Sequence, residues 1–238
     1  MIFINQQLPN GSILGGGDFQ VYAMQATVAL NDRLSIIAQK DGFISLQADA
    51  IPHADGWADL GTGLKYVLVR DVQNQFLLSA GAMVEWSNGS SRVFQGNGDG
   101  VFNFFLITGK AFGQCNDNHF IGTIGWHLPV DPVAESESLF YSLHLDRHLG
   151  KGLYGLVEMN GIQYVNNGGA IPGLNVEGGD LINLGAGAVD GNTFISIAVG
   201  ATQKINSNLE LGAAWEVPMT GRKDLMDNRL TTTLSLIY

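Results

Sequence analysis

Charge is scarce in this chain. Only 14% of its 238 residues are charged, against roughly 25% in an ordinary soluble domain, which leaves few ionic groups to cover a water-facing surface. Basic residues are the scarcer kind: 12 Lys and Arg stand against 22 Asp and Glu, for a net charge of −10. That balance excludes the clustered positive surface a nucleic-acid partner requires. Cysteine occurs once, at Cys115, so no intrachain disulfide forms, and the turn "QCNDN" marks it as a spectator thiol. Absent too is any run of the roughly 18 apolar residues that a membrane helix needs. The start, "MIFINQQLPNG", has no basic segment and no cleavage site, so an export signal is expected to have been removed. The first strand reads short, as if residues were missing upstream.

What is present is glycine, 32 residues of it, and a period-2 alternation that recurs along the chain. One face carries Tyr22, Met24, Ala26, Val28 and Leu30; then Leu60, Leu64, Tyr66 and Leu68; then Leu78, Ala80, Ala82, Val84 and Trp86. The same pattern returns at Ile124, Trp126 and Leu128, at Leu139 to Leu145, at Ile195 to Ala201 and at Leu209 to Val217. Alternation of this kind predicts half-buried strands. The second face holds Gly, Ser, Thr, Gln, Asn and a few carboxylates rather than the Lys, Glu and Arg of a solvated sheet, which suits the lining of a lumen.

Connections alternate strictly between short and long. "NDR" at 31, "DVQN" at 71, "CNDN" at 115, "RHLGKG" at 147 and "INSN" at 205 are short; Pro9–Asp18, Ala50–Gly56, Ser87–Gly100, Pro129–Ser136, Asn166–Asn192 and Met219–Asn228 are longer. The expectation is an all-β fold: one domain spanning 1–238, a closed antiparallel up-and-down transmembrane β-barrel of about twelve strands. Its strands should be about 9–11 residues long, with tight turns on the periplasmic side and larger loops outside, 166–192 the longest. Trp86, Trp126 and Trp215 fall on the apolar face towards the long loops, and Phe76, Phe120 and Tyr238 on that face near the short turns. Two aromatic belts are what a bilayer selects at its interfaces.

The last strand, "RLTTTLSLIY", alternates Leu230, Thr232, Leu234, Leu236 and Tyr238 against Thr231, Thr233 and Ser235. Pairing it with "MIFINQQL" would close the barrel and fix the terminus. Leu234, Leu236 and Tyr238 also resemble the C-terminal signal by which bacterial outer-membrane proteins are recognised for insertion. With "DLGTGLKYVLVRD", "GNGDGVFNFFLITGKAFG" and "NLELGAAWEVPMTGRKDLMDNRLT", the whole chain resembles a family of bacterial outer-membrane β-barrels described as transporter-like. The resemblance implies a Gram-negative outer membrane as the compartment, with the lipid bilayer and the barrel assembly machinery as partners, and no defined substrate.

If the apolar face meets lipid, the lumen receives Asp59, Lys65, Glu85, His127, His144, Asp146, Glu158, Asn160, Glu210 and Glu216. Six of these are carboxylates and Lys65 is the one clear base, an arrangement that concentrates cations and disfavours anions. Asp59 and Glu85 are expected close together near the outer mouth. "YSLHLD" sets Ser142, His144 and Asp146 on one inward face, but residues two apart on a strand lie about 7 Å apart, against the roughly 3 Å contacts of a catalytic relay. No enzyme activity is expected. The five histidines lack metal-ligand spacing, and "QGNGDG" lacks both the calcium-loop ligand series and the phosphate-loop Lys, so neither metal nor cofactor is expected. The apolar island "DLINLGAGAV", Asp180–Val189, fits an inward constriction, a strand extension or a subunit contact equally well.

The expected function is a porin-like outer-membrane channel for passive passage of small neutral or cationic solutes. A different class, a closed structural barrel that presents loop 166–192 to a partner, would have a plugged lumen. A soluble barrel for a lipophilic ligand would instead put its apolar face inside. Oligomeric state is not legible.

Overall fold

A computed structural model describes residues 1–237, without the side chains of Lys40 and Asp41; Tyr238, expected in the lower aromatic belt and the insertion signal, lies outside the described residues. The strands are β1 (Ile2–Gln7), β2 (Gly17–Ala29), β3 (Leu34–Ala48), β4 (Ala54–Trp57), β5 (Leu60–Asp71), β6 (Phe76–Trp86) and β7 (Val101–Phe112). They continue with β8 (Asn118–Pro129), β9 (Glu137–Gly150), β10 (Leu153–Asn166), β11 (Thr193–Lys204), β12 (Leu209–Pro218) and β13 (Asn228–Leu236).

Each strand pairs antiparallel with its neighbour, and β1 joins β13 on one side and β2 on the other, with Ile4 opposite both Thr231 and Val21. The sheet therefore closes on itself. Closure satisfies backbone N–H and C=O groups that lipid cannot solvate. β4 and β5 share one wall position: β4 pairs with the upper part of β3, Phe43–Leu46, and β5 with its lower part, Leu34–Gln39. Twelve wall positions thus use thirteen strands. The break falls at Ala58–Asp59, where the Asp59 carboxylate turns to accept hydrogen bonds from the backbone N–H of Gly89 at 2.6 Å and of Gly96 at 2.8 Å.

Short turns and long loops segregate to opposite ends, as the spacing predicts. The turns are built from side chains that mimic backbone: Asn31 Oδ1 accepts from the N–H of Arg33 and Leu34, and Asp71 Oδ1 from that of Asn74, the Asx chemistry that favours these residues in turns. Most strands run longer than expected, to 15 residues in β3 and 14 in β9 and β10. "RHLGKG" shows why. Its first four residues continue β9 to Gly150 and only Lys151 and Gly152 turn, with Lys151 at φ 51° and Gly152 at φ 76°.

The outer surface is apolar. Leu64, Leu106, Ile124, Leu143, Leu145, Val199 and Leu211 are exposed there, with Trp86, Trp126 and Trp215 towards the loop end. Trp57, unassigned from the sequence, joins them at 66% exposure, packed edge-on to Phe43. Near the turns, Phe76 is opposite Lys110, which is opposite Phe120. This surface removes the soluble-barrel alternative, because a lipophilic-ligand carrier buries the face that here is turned outward. Glycine serves close packing: a Cβ on Gly81 would sit 2.1 Å from the Phe105 ring inside, and one on Gly161 2.1 Å from Tyr141.

Candidate functional site: the lumen and its inward loop

Inside, the barrel has two unlike walls. Strands β1–β3 turn Ile4, Phe19, Val21, Ile44 and Leu46 inward, all nearly inaccessible. What covers them is the long loop: Ile182 and Leu184 of the apolar island pack onto this cluster, and Ala186 and Val189 onto Ile162 and Tyr164 of β10. Of the three fates open to the island, the inward fold is the one observed. It buries apolar side chains that an extracellular loop would leave in water.

A buried carboxylate holds the loop in place. Glu177, 1% exposed, accepts hydrogen bonds from Ser136 Oγ at 2.6 Å, Leu184 N at 2.7 Å and Ala186 N at 2.8 Å. Burial nevertheless pushes its pKa up, against the pull of those donors. Asn183 clamps Ser136 in both directions at 2.8 Å. Asp224, from the β12–β13 loop, accepts from Glu177 N and Tyr164 Oη and pairs with Arg222 at 2.6 Å.

Opposite the apolar wall, strands β8–β13 carry a ladder of polar contacts. His119 Nδ1 lies 2.7 Å from Asp146; His144 lies 3.2 Å from Asp146 by Nε2 and 3.0 Å from Glu158 by Nδ1. Asn160 Nδ2 donates to Glu158 and Glu216, each at 3.0 Å, and Ser196 Oγ also donates to Glu216. Glu216 pairs with Arg229 at 3.4 Å, and Arg229 reaches Asp180 of the loop at 2.6 Å and Gln6 of β1 at 2.6 Å. Opposed strands explain the geometry, since Ser142 faces Asn160, His144 faces Glu158 and Glu216 faces Arg229 in register.

Side chains two apart thus do meet: His144 and Asp146 lean along the strand and touch, contrary to the 7 Å argument from backbone spacing. Both ring nitrogens of His144 are then occupied by carboxylates.

Asp59, Glu85 and His127 line the cavity beneath the loop. Asp59 is bonded to backbone amides, and His127 packs against Phe140 with the rings tilted at 48° and their centroids 4.5 Å apart. Glu210 sits at the turn end, 3.6 Å from Lys204. Lys65 lies on β5 opposite Ser35 and Gly81, away from the ladder. The base that meets the carboxylates of the ladder is Arg229, which is not among the residues expected to line the lumen. The signal was present, because Arg229 shares parity with Thr231 and Thr233, already assigned to the non-lipid face. Asp180 was masked by its position in a loop.

Three cavities adjoin along the lumen. One of about 60 Å³ at the loop shares Asp59, Glu85 and Asp180 with a central one of about 440 Å³; that in turn shares Glu158 and Glu216 with one of about 250 Å³ reaching Thr202 and Thr233.

No protein-family model matches the chain, and no curated protein matches it in sequence. Solved structures do match in fold, over 100% of this chain. A NanC porin is 7% identical with a TM-score of 0.59 and 99% of its chain covered. An outer-membrane channel from Pseudomonas putida F1 is 12% identical with a TM-score of 0.63 and 93% covered. A KdgM porin in complex with disordered oligogalacturonate is 11% identical with a TM-score of 0.54 and 99% covered. By architecture this chain is a closed twelve-position antiparallel barrel of the kind found in bacterial outer-membrane channels.

Proposed function

We propose that the protein is a channel of a bacterial outer membrane through which small neutral or cationic solutes pass passively. The observation that carries this reading is the run of adjoining cavities from the inward loop past Glu158 and Glu216. The apolar outer belt supports its place in a bilayer, and the porin fold supports the channel class.

Selectivity follows from charge. Asp59, Glu85, Asp146, Glu158, Asp180, Glu210 and Glu216 face or border the lumen, against Lys65, Lys204 and Arg229. In a narrow low-dielectric passage such an excess attracts cations and repels anions. Oligogalacturonate, found with one of the similar porins, is a polyanion and is a poor match for this lining. The loop narrows the passage, and Arg229–Asp180 forms its charged rim. Catalysis is disfavoured by His144, whose ring nitrogens both face carboxylates and leave none for the Ser142 hydroxyl.

A second reading, a closed structural barrel, is favoured by the same ladder, which fills the β9–β13 wall with satisfied polar groups. Liposome swelling separates the two. A channel swells vesicles in small neutral and cationic solutes faster than in anionic solutes of matched size, and a closed barrel leaves all rates at the level of empty vesicles.

A further inference from the structure

We propose that the small cavity at the outer mouth is a binding site for a primary ammonium group, built around Glu135. This deepens the channel reading, on which it rests, by naming the head group the mouth selects. Glu135 lies in the β8–β9 loop with only 6% of its surface exposed, and its Oε2 has no hydrogen-bond partner. It opens into a cavity of about 60 Å³ that it shares with Glu85, Asp59 and Asp180. A buried carboxylate oxygen without a donor is costly. Neighbouring acids make this one costlier.

The surroundings select the ligand. Asp59 is engaged by the amides of Gly89 and Gly96, Glu177 by Ser136, Leu184 and Ala186, and Asp180 by Arg229. Every one of these groups has its donors; Glu135 Oε2 has none. A bare metal ion is a poor fit, because no three Asp, Glu, His or Cys groups among the described residues converge closely enough to ligate one. At about 60 Å³ the cavity is roomy enough for an ammonium head group. An R–NH3⁺ group carries three donors, one for Glu135 and the others for acceptors along the rim, while its apolar body points down towards the β1–β3 wall.

Protonation gives the site a signature. Burial, then Glu85, Asp59, Glu177 and Asp131, push the Glu135 pKa up to about 8; His127 and Asp180 also line the cavity. At neutral pH the carboxyl mostly holds its proton, and a bound cation displaces it.

The test is calorimetric titration of the folded full chain in detergent with n-propylammonium chloride at pH 7, in two buffers of different ionisation enthalpy. Saturable binding with proton release is expected. Glu135→Gln should lower the affinity about tenfold and abolish the proton release, while Asp190→Asn, exposed on the β10–β11 loop, changes neither. Tetramethylammonium, which has no N–H donor, should bind at least tenfold more weakly than propylammonium. Equal affinity in Glu135→Gln, no saturable binding, no proton release from the wild type, or preference for calcium would overturn the site. Binding is read without transport, so a binding barrel that does not conduct refutes the channel alone, and a conducting barrel that does not bind refutes this site alone.

Discussion

Replacing Arg229 by Gln removes the base at the rim of the passage, and the consequences divide between two carboxylates. Glu216 is 6% exposed and would lose its cationic partner Arg229 while keeping the Asn160 and Ser196 donors. The side chain of Asp180 is 38% exposed, so water replaces most of what it loses and its share is below about 1 kcal/mol. Breaking a buried pair by deleting one partner costs about 3–5 kcal/mol; with the retained donors on Glu216, about 3 kcal/mol is expected in total. For a chain of this length that lowers the melting temperature by roughly 6–12 °C, read from the heat-dependent gel mobility of the folded barrel. Reversal potential in a salt gradient should move further towards cations, since the rim loses a positive charge. Arg229→Lys should restore the potential and only part of the stability, because an ammonium lacks the fork that reaches Gln6, Glu216 and Asp180 together. An unchanged melting temperature with an unchanged potential would refute the role given to this residue.

Three further outcomes follow from the same contacts. Glu177→Ala leaves the amides of Leu184 and Ala186 without an acceptor, at about 1–3 kcal/mol each, and proteolysis within 167–192 should accelerate at least tenfold while the strands stay protected. The raised pKa of Glu135 contributes stability that is full below pH 4.5 and lost as pH rises through about 8; the outer loops of the wild type should therefore become more protease-sensitive between pH 5 and pH 9, and Glu135→Gln should remove part of that rise. Leu143→Arg, on the lipid face of β9, should cost roughly 2–4 kcal/mol of folding into a bilayer, whereas Ser142→Ala, one residue away on the lumen face, should be near neutral by denaturant titration.

The barrel was legible in the sequence because its signals are local. Alternation from Leu139 to Leu145 sets which face meets lipid, and residues such as Asn31 and Asp71 write their own turns. The lumen was legible as a face but not as a network. Parity put His144, Asp146, Glu158 and Glu216 inside, yet which of them touch depends on pairing between strands that the sequence does not state residue by residue, and on side chains leaning along the strand, as His144 does. The loop was the least legible part. Asp180–Val189 has no period to read, and its inward fold depends on Glu177, Ser136 and Asp224, which are far apart in the chain.

The most direct test of the account is single-channel recording of the purified protein in a planar bilayer under a KCl gradient. Stable conductance steps with a reversal potential on the cation-selective side are predicted. Silence from a folded, inserted barrel, or a reversal potential on the anion-selective side, would contradict a passage governed by the carboxylates of this lumen.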